Sequence, residues 1–514
     1  MKNSALKIVD HNGRPIPRSM MAGDYEGAAT GRRMNTWGLS SSGPNSSLYS
    51  STNSLRSRSR ELRRNNPLID GGSDTLVANI IGSGINPRWQ IKDNPALKEE
   101  LQELWSDWTQ ESDFNDLLDF YGQQSLGASA LIDAGEFLCR FVPSRPGEYD
   151  TVPLKLQLLE ADHLDANYNS VAPNGNEIRM GIEIDKQGRN LAYWLFTEHP
   201  GEYFGLHSGG QQRERIPKED IVHVFNPLRI GQKRGRPWLA SIIVKLHELD
   251  QYEDAELVRK KTAAMFGGFI TETMGEDPNP GGFFGRNNGT DANQNDIIAI
   301  EPGTFPTLPP GKDVKFSQPV DVGVTYGVWL KQQLREIAVG MGITYEQLTG
   351  DLSGVNYSSI RAGLLEFRRR IMQLQHQIII FQFCRPVARR FMDAAVLSGA
   401  VKIPDYVYNR RKYLRIKWRP DGWPWVDPIK DQEAQKSAVR NGFKSRARVI
   451  AENGDDIENI DREIAEDNAR ADKLKLVYDS DPRKVQESGK AQNATIPGDE
   501  EDGETKPANT ETDE

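Results

Sequence analysis

Seven apolar residues constrain this chain more than anything else in it. Ile360, Leu364, Phe367, Ile371, Leu374, Ile378 and Phe381 recur at alternating steps of four and three. That spacing lays one apolar stripe along a helix. At 1.5 Å per residue the stripe is about 33 Å long. Matching surface must come from the same chain or from a neighbouring copy. Pro386 follows soon after. Proline removes a backbone donor inside a helix, so a kink is expected there.

No apolar run approaches the roughly 18 residues of a membrane span. The opening MKNSALKIVDHNGRPIPRSM lacks the apolar core of a secretory signal. Cys139 and Cys384 lie far apart and show no metal spacing, which fits a reducing cytoplasm. With 514 residues, several layers or domains are expected. The net charge is −9, but residues 499–514 alone hold eight acids and one lysine, so the remainder is nearly balanced. A protein that grips DNA phosphates usually carries a clear basic excess, and this one does not.

Residues 1 to about 53 are rich in Ser, Gly, Asn and Arg and read as a mobile or partner-draped arm. Helices are expected over 73–81, 95–108 and 114–125. The second carries Leu97, Leu101, Leu104 and Trp108 on one face. From about 128 to 226, alternating runs such as Leu154–Leu158 and Ile182–Ile184 predict a mostly antiparallel sheet packed on those helices. Asn174-Gly175 and Lys186-Gln187-Gly188 supply turns. Pro237 opens a long helix with Leu239, Ile242, Leu246 and Leu249 inward and an exposed charged face from Asp250 to Lys261. Residues 269–322, rich in Gly, Pro and Asn, read as an insertion with short strands such as Ile297–Ile300. A second helix over 326–340 flanks it. Tyr413–Trp418 alternates like a strand. Three short helices are expected over 429–470, with Gly442 and Gly454 as stops and Ser445 and Asp456 as caps. Beyond about 479 the chain reads as disordered and acidic.

Catalytic signatures are missing from the sequence. There is no phosphate-cradling G-x-x-x-x-G-K-[ST], no H-E-x-x-H (His247-Glu248 lacks its second histidine) and no G-x-S-x-G. Asp291, Asn293 and Asn295 begin a calcium-like loop, but Asp296 and Pro302 stand where Gly and Glu are needed. No cofactor and no metal site is expected. Glu253, Asp254 and Glu256 are the best acids for a magnesium site, yet they read first as a solvated helix face. Arg56, Arg58, Arg60, Arg63 and Arg64 form one basic stretch. Arg410, Arg411, Lys412, Arg415, Lys417 and Arg419, with Tyr413 and Trp418, form another. Both read as ion-pairing faces before nucleic-acid contacts.

Several stretches together resemble the lambda-type family of bacteriophage portal proteins. The most specific is ITYEQLTGD (343–351), with NYSSIR (356–361) and EFRR (366–369). Others are PLRIGQKRGRPW (227–238), MFGGFI (265–270), EPGT (301–304) and WPWVDP (423–428). The likeness runs over about 35–470 in the order of the family. It implies an α+β portal fold: an antiparallel-sheet wing, paired stem helices, a β-containing clip insertion, a long kinked helix, a helical crown, and closure into a ring.

The resemblance divides the chain into an N-terminal arm (1–60), wing (61–236), first stem helix (237–267), clip (268–322), second stem helix (323–347), tunnel loop (348–359), long helix and return to the wing (360–426), crown (427–480) and disordered acidic tail (481–514). The residues it implies as facing DNA are Thr349, Gly350, Asp351, Leu352, Ser353, Gly354, Val355, Asn356, Tyr357 and Ser358. They contain no Lys or Arg and one acid. Gly350 and Gly354 allow unusual backbone angles. The implied partners are other copies in a dodecameric ring, double-stranded DNA in its channel, the large terminase, major capsid and scaffold proteins, and head-completion or connector proteins, with no membrane. The implied place is one capsid vertex of the virion, after assembly in the host bacterial cytoplasm. Two other readings remain at this point: a metal-dependent DNA-processing enzyme, or another head–tail adaptor ring protein.

Overall fold

The computed structural model describes residues 40–145, 147–202, 212–265, 270–271, 307–308, 326–423, 428–455, 457–476 and 478. In chain order it opens with α1 (Pro44–Tyr49), α2 (Thr52–Asn65), α3 (Pro67–Ile81), β1 (Asn86–Trp89), α4 (Pro95–Gln110) and α5 (Phe120–Asp133). An irregular arm reaching to residue 60 does not fit the first two. They are helical, and Leu48, Thr52, Arg56 and Ser59 are buried. Helix α3 starts at Pro67 rather than Ser73. Proline suits the first helical position, and Asn66 caps it by accepting from the Leu68 and Ile69 amides at 3.1 and 3.2 Å. The helix expected over 114–125 begins instead at Phe120. Asp113 holds the preceding turn, accepting from the Leu117 and Leu118 amides at 3.0 and 3.2 Å.

On α4, Leu97, Leu101 and Trp108 are buried as expected, and Trp105 lies among them while Leu104 is partly covered. Trp105 is the hub of the aromatic core. Its ring centre lies 5.0 Å from Trp108, 4.9 Å from Phe391 and 5.3 Å from Phe120. Trp108 donates to the Leu154 carbonyl at 2.8 Å.

Two antiparallel sheets follow, where one was expected. The first has order β3 (Leu154–Glu160), β2 (Glu136–Pro143), β9 (Ile221–Phe225). The second is a meander of β4 (Ser170–Val171), β5 (Glu177–Arg179), β6 (Ile182–Ile184), β7 (Asn190–Phe196) and β8 (Arg213–Pro217). Strand alternation explains the split. Phe137, Cys139 and Phe141 of β2 join the main core with the helices. Leu138, on the opposite face, joins a second core with Leu164, Ile182, Ile184, Tyr193, Leu195, Ile216 and Ile221.

One buried carboxylate ties these parts together. Glu136, fully buried, accepts from Arg56 Nη2 at 3.1 Å, Arg234 Nε at 2.8 Å and the Gly235 amide at 2.6 Å, and lies 3.0 Å from His223 Nε2. Although burial opposes its charge, Arg234, His223 and Arg56 hold its carboxyl well below the usual carboxylate range. Gly235 has to be glycine, because a Cβ there would lie 2.1 Å from the Gly135 carbonyl oxygen. The RGRPW segment is thus a clasp on Glu136. Its Trp238 donates to the Met341 carbonyl at 2.7 Å.

Pro237 leads into a short 3₁₀ turn (Trp238–Ser241), and α6 proper spans Ile243–Met265. Leu239, Ile242, Leu246 and Leu249 are all buried. Strands β10 (Ile270–Thr271) and β11 (Thr307–Leu308) pair in parallel. The rest of the expected clip, including Ile297–Ile300, lies outside the described residues. Helix α7 (Tyr326–Met341) runs beside α6, with Tyr252 and Trp329 ring centres 4.9 Å apart and Lys245 paired with Glu336.

The short α8 (Tyr345–Thr349) leads to α9 (Tyr357–Leu374), which continues without a break through a π-helical segment (Gln375–Cys384) into α10 (Arg385–Ser398). The helix widens just before Pro386, where a kink was expected. The Arg385 amide reaches back five residues to the Ile380 carbonyl. A wider turn just before a proline relieves its clash with the carbonyl four residues earlier. The widening also changes the phase of the stripe. Phe367, Ile371 and Ile378 are buried, but Phe381 is 61% exposed while Ile379, Ile380 and Phe383 turn inward.

Helix α11 (Tyr406–Tyr413) occupies part of the expected strand, which begins only at Ile416 as β12 (Ile416–Arg419) and pairs with β1. Helices α12 (Pro428–Arg440), α13 (Arg446–Glu452) and α14 (Ile457–Leu474) follow. Gly442 and Gly454 have φ of 74° and 95°, and Ser445 caps α13 by accepting from the Arg448 amide at 3.2 Å. Asp456 lies outside the described residues.

Candidate functional site

The loop between α8 and α9 is positioned from both ends. Thr344 and Gln347 form a reciprocal capping box at the start of α8, at 3.2 and 3.0 Å. Gly350 ends α8 with φ of 69°, a conformation that favours glycine. At the far end Asn356 caps α9, accepting from the Ser359 amide at 2.8 Å. The expected ten residues therefore divide. Thr349 closes α8, 350–356 form the loop, and Tyr357 and Ser358 begin α9. Thr349, Asp351 and Val355 are half-buried. Gly350, Leu352, Ser353, Gly354, Asn356 and Ser358 are exposed. Gly354 does not use the left-handed region, so only Gly350 needs its freedom.

Asp351 organises this loop. Its Oδ1 accepts from the Ser353 amide at 3.0 Å and the Ser353 hydroxyl at 2.5 Å. Its Oδ2 accepts from the Tyr345 hydroxyl at 3.0 Å and Lys331 Nζ at 3.3 Å. The Ser353 hydroxyl and amide, with Tyr345 and Lys331, hold the Asp351 carboxyl far below its ordinary range. Lys331, from α7, also lies 4.9 Å from the Tyr345 ring centre. The loop itself has no cation, but one stands directly beneath it, matched to its one acid. Asp351-x-Ser353 is a local turn signal that sequence reading can find. Lys331 is twenty residues away and carries no such signal.

Several of the other candidate groups are drawn into ion pairs. Arg56 and Arg60 meet Asp162 at 3.2 and 2.5 Å, Arg60 meets Glu160 at 2.6 Å, and Arg63 meets Asp70 and Asp74 at 3.0 and 2.5 Å. Arg410 pairs with Asp393, and Lys412 with Asp93 at 3.0 Å. Glu256 is not on a solvated face. It is buried and pairs with Arg259 at 2.6 Å and Lys260 at 3.8 Å. Burial, with Asp250 and Asp254 nearby, raises the Glu253 carboxyl. Among the described residues, one group has metal-ligand proximity: Glu160, Asp162 and His199. Arg56 and Arg60 already occupy its carboxylates.

The loop, α7 and α9 lie within a family match. Residues 30–375 match the phage portal protein, lambda family. The chain belongs to this family. The probable portal protein of Halomonas phage phiHAP-1 is 30% identical over 436 residues, covering 83% of this chain and 82% of the relative. The portal protein of Escherichia phage N15 is 21% identical over 493 residues, covering 88% and 91%. A chain in the neck of a native gene transfer agent particle, computed with C12 symmetry, is 15% identical with a TM-score of 0.41, covering 76% of this chain and 92% of that one. Portal proteins are structural components of the phage head rather than enzymes. Among the described residues no helix is long and apolar enough to cross a membrane.

Proposed function

We propose that copies of this chain close into a dodecameric ring at one capsid vertex, and that double-stranded DNA enters the head through the ring and leaves by it on ejection. The observation that carries this reading is the exposed 350–356 loop, which holds no Lys or Arg and keeps its one acid tied to Lys331. Duplex DNA bears one charge per about 1.7 Å of axis. A basic wall would hold it, and a net acidic one would resist it. A locally neutral polar loop permits sliding contact.

In this reading α6 and α7 are the stem pair, and residues 268–322 are the clip that docks the large terminase during packaging and head-completion or connector proteins afterwards. Residues 61–236 form the wing, to which α1 and α2 are added. The helices from 428 to 474 form the crown inside the head, and scaffold and major capsid proteins meet the ring during assembly in the host cytoplasm. Energy for movement comes from the motor. Electron microscopy of the purified protein tests the reading. Closed rings with a central hole, lined by the 350–356 loop, are the expected result. A compact monomer under every condition, or a ring with that loop away from the hole, overturns it.

A further inference from the structure

The phase change in the long helix opens a groove of about 730 Å³ between the π segment, the start of α10 and strand β12. His376, Phe381, Arg385, Arg389, Arg415 and Lys417 line it, all exposed, and no carboxylate does. Arg389, Arg415 and Lys417 make no ion pair among the described residues. The Arg385 guanidinium rests 5.3 Å from the Phe381 ring centre. This sets them apart from the other basic stretch, where Arg56, Arg60 and Arg63 each have acidic partners. Four cations with no ion pair among the described residues therefore surround an exposed aromatic ring, a surface suited to an acidic peptide.

We propose that the occupant is the acidic segment 499–514 of this chain, from the same copy or a neighbouring one. Charge is the first argument. The segment has eight acids and one lysine, with Asp499, Glu500, Glu501 and Asp502 in succession. Without it the chain is nearly neutral. A comparable excess, residues 452–467 with eight acids and one arginine, is built into α13 and α14, where Lys444, Lys98 and Arg446 pair with Glu452, Glu458 and Asp461. The 499–514 segment is matched to a groove whose cations have no ion pair among the described residues. Ile496, just before the acids, is the apolar contact that Phe381 lacks. Reach is the second argument. Residues 479–498 span up to about 70 Å when extended. The wider depression that shares His376 and Lys417 with the groove is also lined by Arg448 and Asn453, from the α13 region. The C-terminal helices therefore already lie beside it. Tethering at an effective concentration in the millimolar range fills the groove even if each contact is weak.

Zero-length carbodiimide coupling of the full chain, read by peptide mass spectrometry, tests this. The amine of Lys417 should couple to carboxylates of 499–514 at low salt. Coupling should vanish near 1 M NaCl, where the screening length is about 3 Å. Arg389→Ala with Arg415→Ala, which keeps Lys417, should lower the yield about tenfold. Mixing isotope-labelled and unlabelled chains separates coupling within a copy from coupling between copies, and either supports the proposal. No Lys417–tail product in the parent chain overturns it, as does a yield unchanged by the variant or by salt. Protection of Lys417 by a short DNA duplex, in a chain whose tail never couples, assigns the groove to nucleic acid instead.

Discussion

Two acids, Asp351 and Glu136, behave in opposite ways although both are held by hydrogen bonds. Asp351 is half-buried, and its carboxylate pairs with Lys331. Asp351→Asn keeps an oxygen for the Ser353 amide and hydroxyl, lets the Tyr345 hydroxyl accept from the new amide NH2, and frees the lysine charge. The expected outcome is new, salt-sensitive retention of duplex DNA by the assembled ring, measured by fluorescence anisotropy and fading between about 50 and 200 mM salt. Asp351→Asn combined with Lys331→Gln should restore the parent behaviour. Glu136 is sealed inside. Glu136→Gln leaves Arg234, itself fully buried, without its counter-charge. Such losses cost about 3–5 kcal/mol, and denaturant unfolding should show a deficit of that order. Sequence reading singled out Asp351 as the one acid in the loop marked by the family resemblance. It missed Glu136, because Arg56, His223 and Arg234 are 80, 87 and 98 residues away.

Among the elements, helices were the more legible, since capping and periodicity act over a few residues. The faces of α4, α6 and α7 follow the spacing of their apolar residues. Errors arose where a long-range contact or a backbone register decided the outcome: two sheets instead of one, a strand that begins at Ile416 rather than Tyr413, and the π segment that expels Phe381. The stripe on the long helix therefore divides energetically. Ile371→Ala, at a fully buried position, should cost about 2–5 kcal/mol, whereas Phe381→Ser should leave the unfolding midpoint nearly unchanged. Leu374→Asp, at the partly covered edge of the core, should break assembly or folding. A normal ring by native mass spectrometry would contradict a packed stripe. The second sheet has its own pH response. Hydrogen bonds from Arg215, Asn174 and Asn176 lower the Glu183 carboxyl from 4.5 to about 2. A depressed carboxylate pKa gives stability that is present above the unfolded value and lost as pH falls through the folded one. Urea midpoints should therefore drop between about pH 4.5 and 2, and Glu183→Gln should flatten that drop.

For the molecule as a whole, the family order of elements was readable because many short stretches recur together, although each alone means little. The exposed apolar residues of α6 and α7, such as Val258 and Val328, are surfaces that the proposed ring would use, and their pairing depends on geometry beyond one chain. The Glu136 clasp has a consequence in time. Its carboxylate leaves the ribosome 98 residues before Arg234. At about 5–20 residues per second, that is a wait of roughly 5–20 s. Until then the nascent chain has no complete lock between its first helices and its sheets. A stall or early stop within that window would leave Glu136 without Arg234 and the Gly235 amide, and such fragments should be the preferred prey of chaperones and proteases.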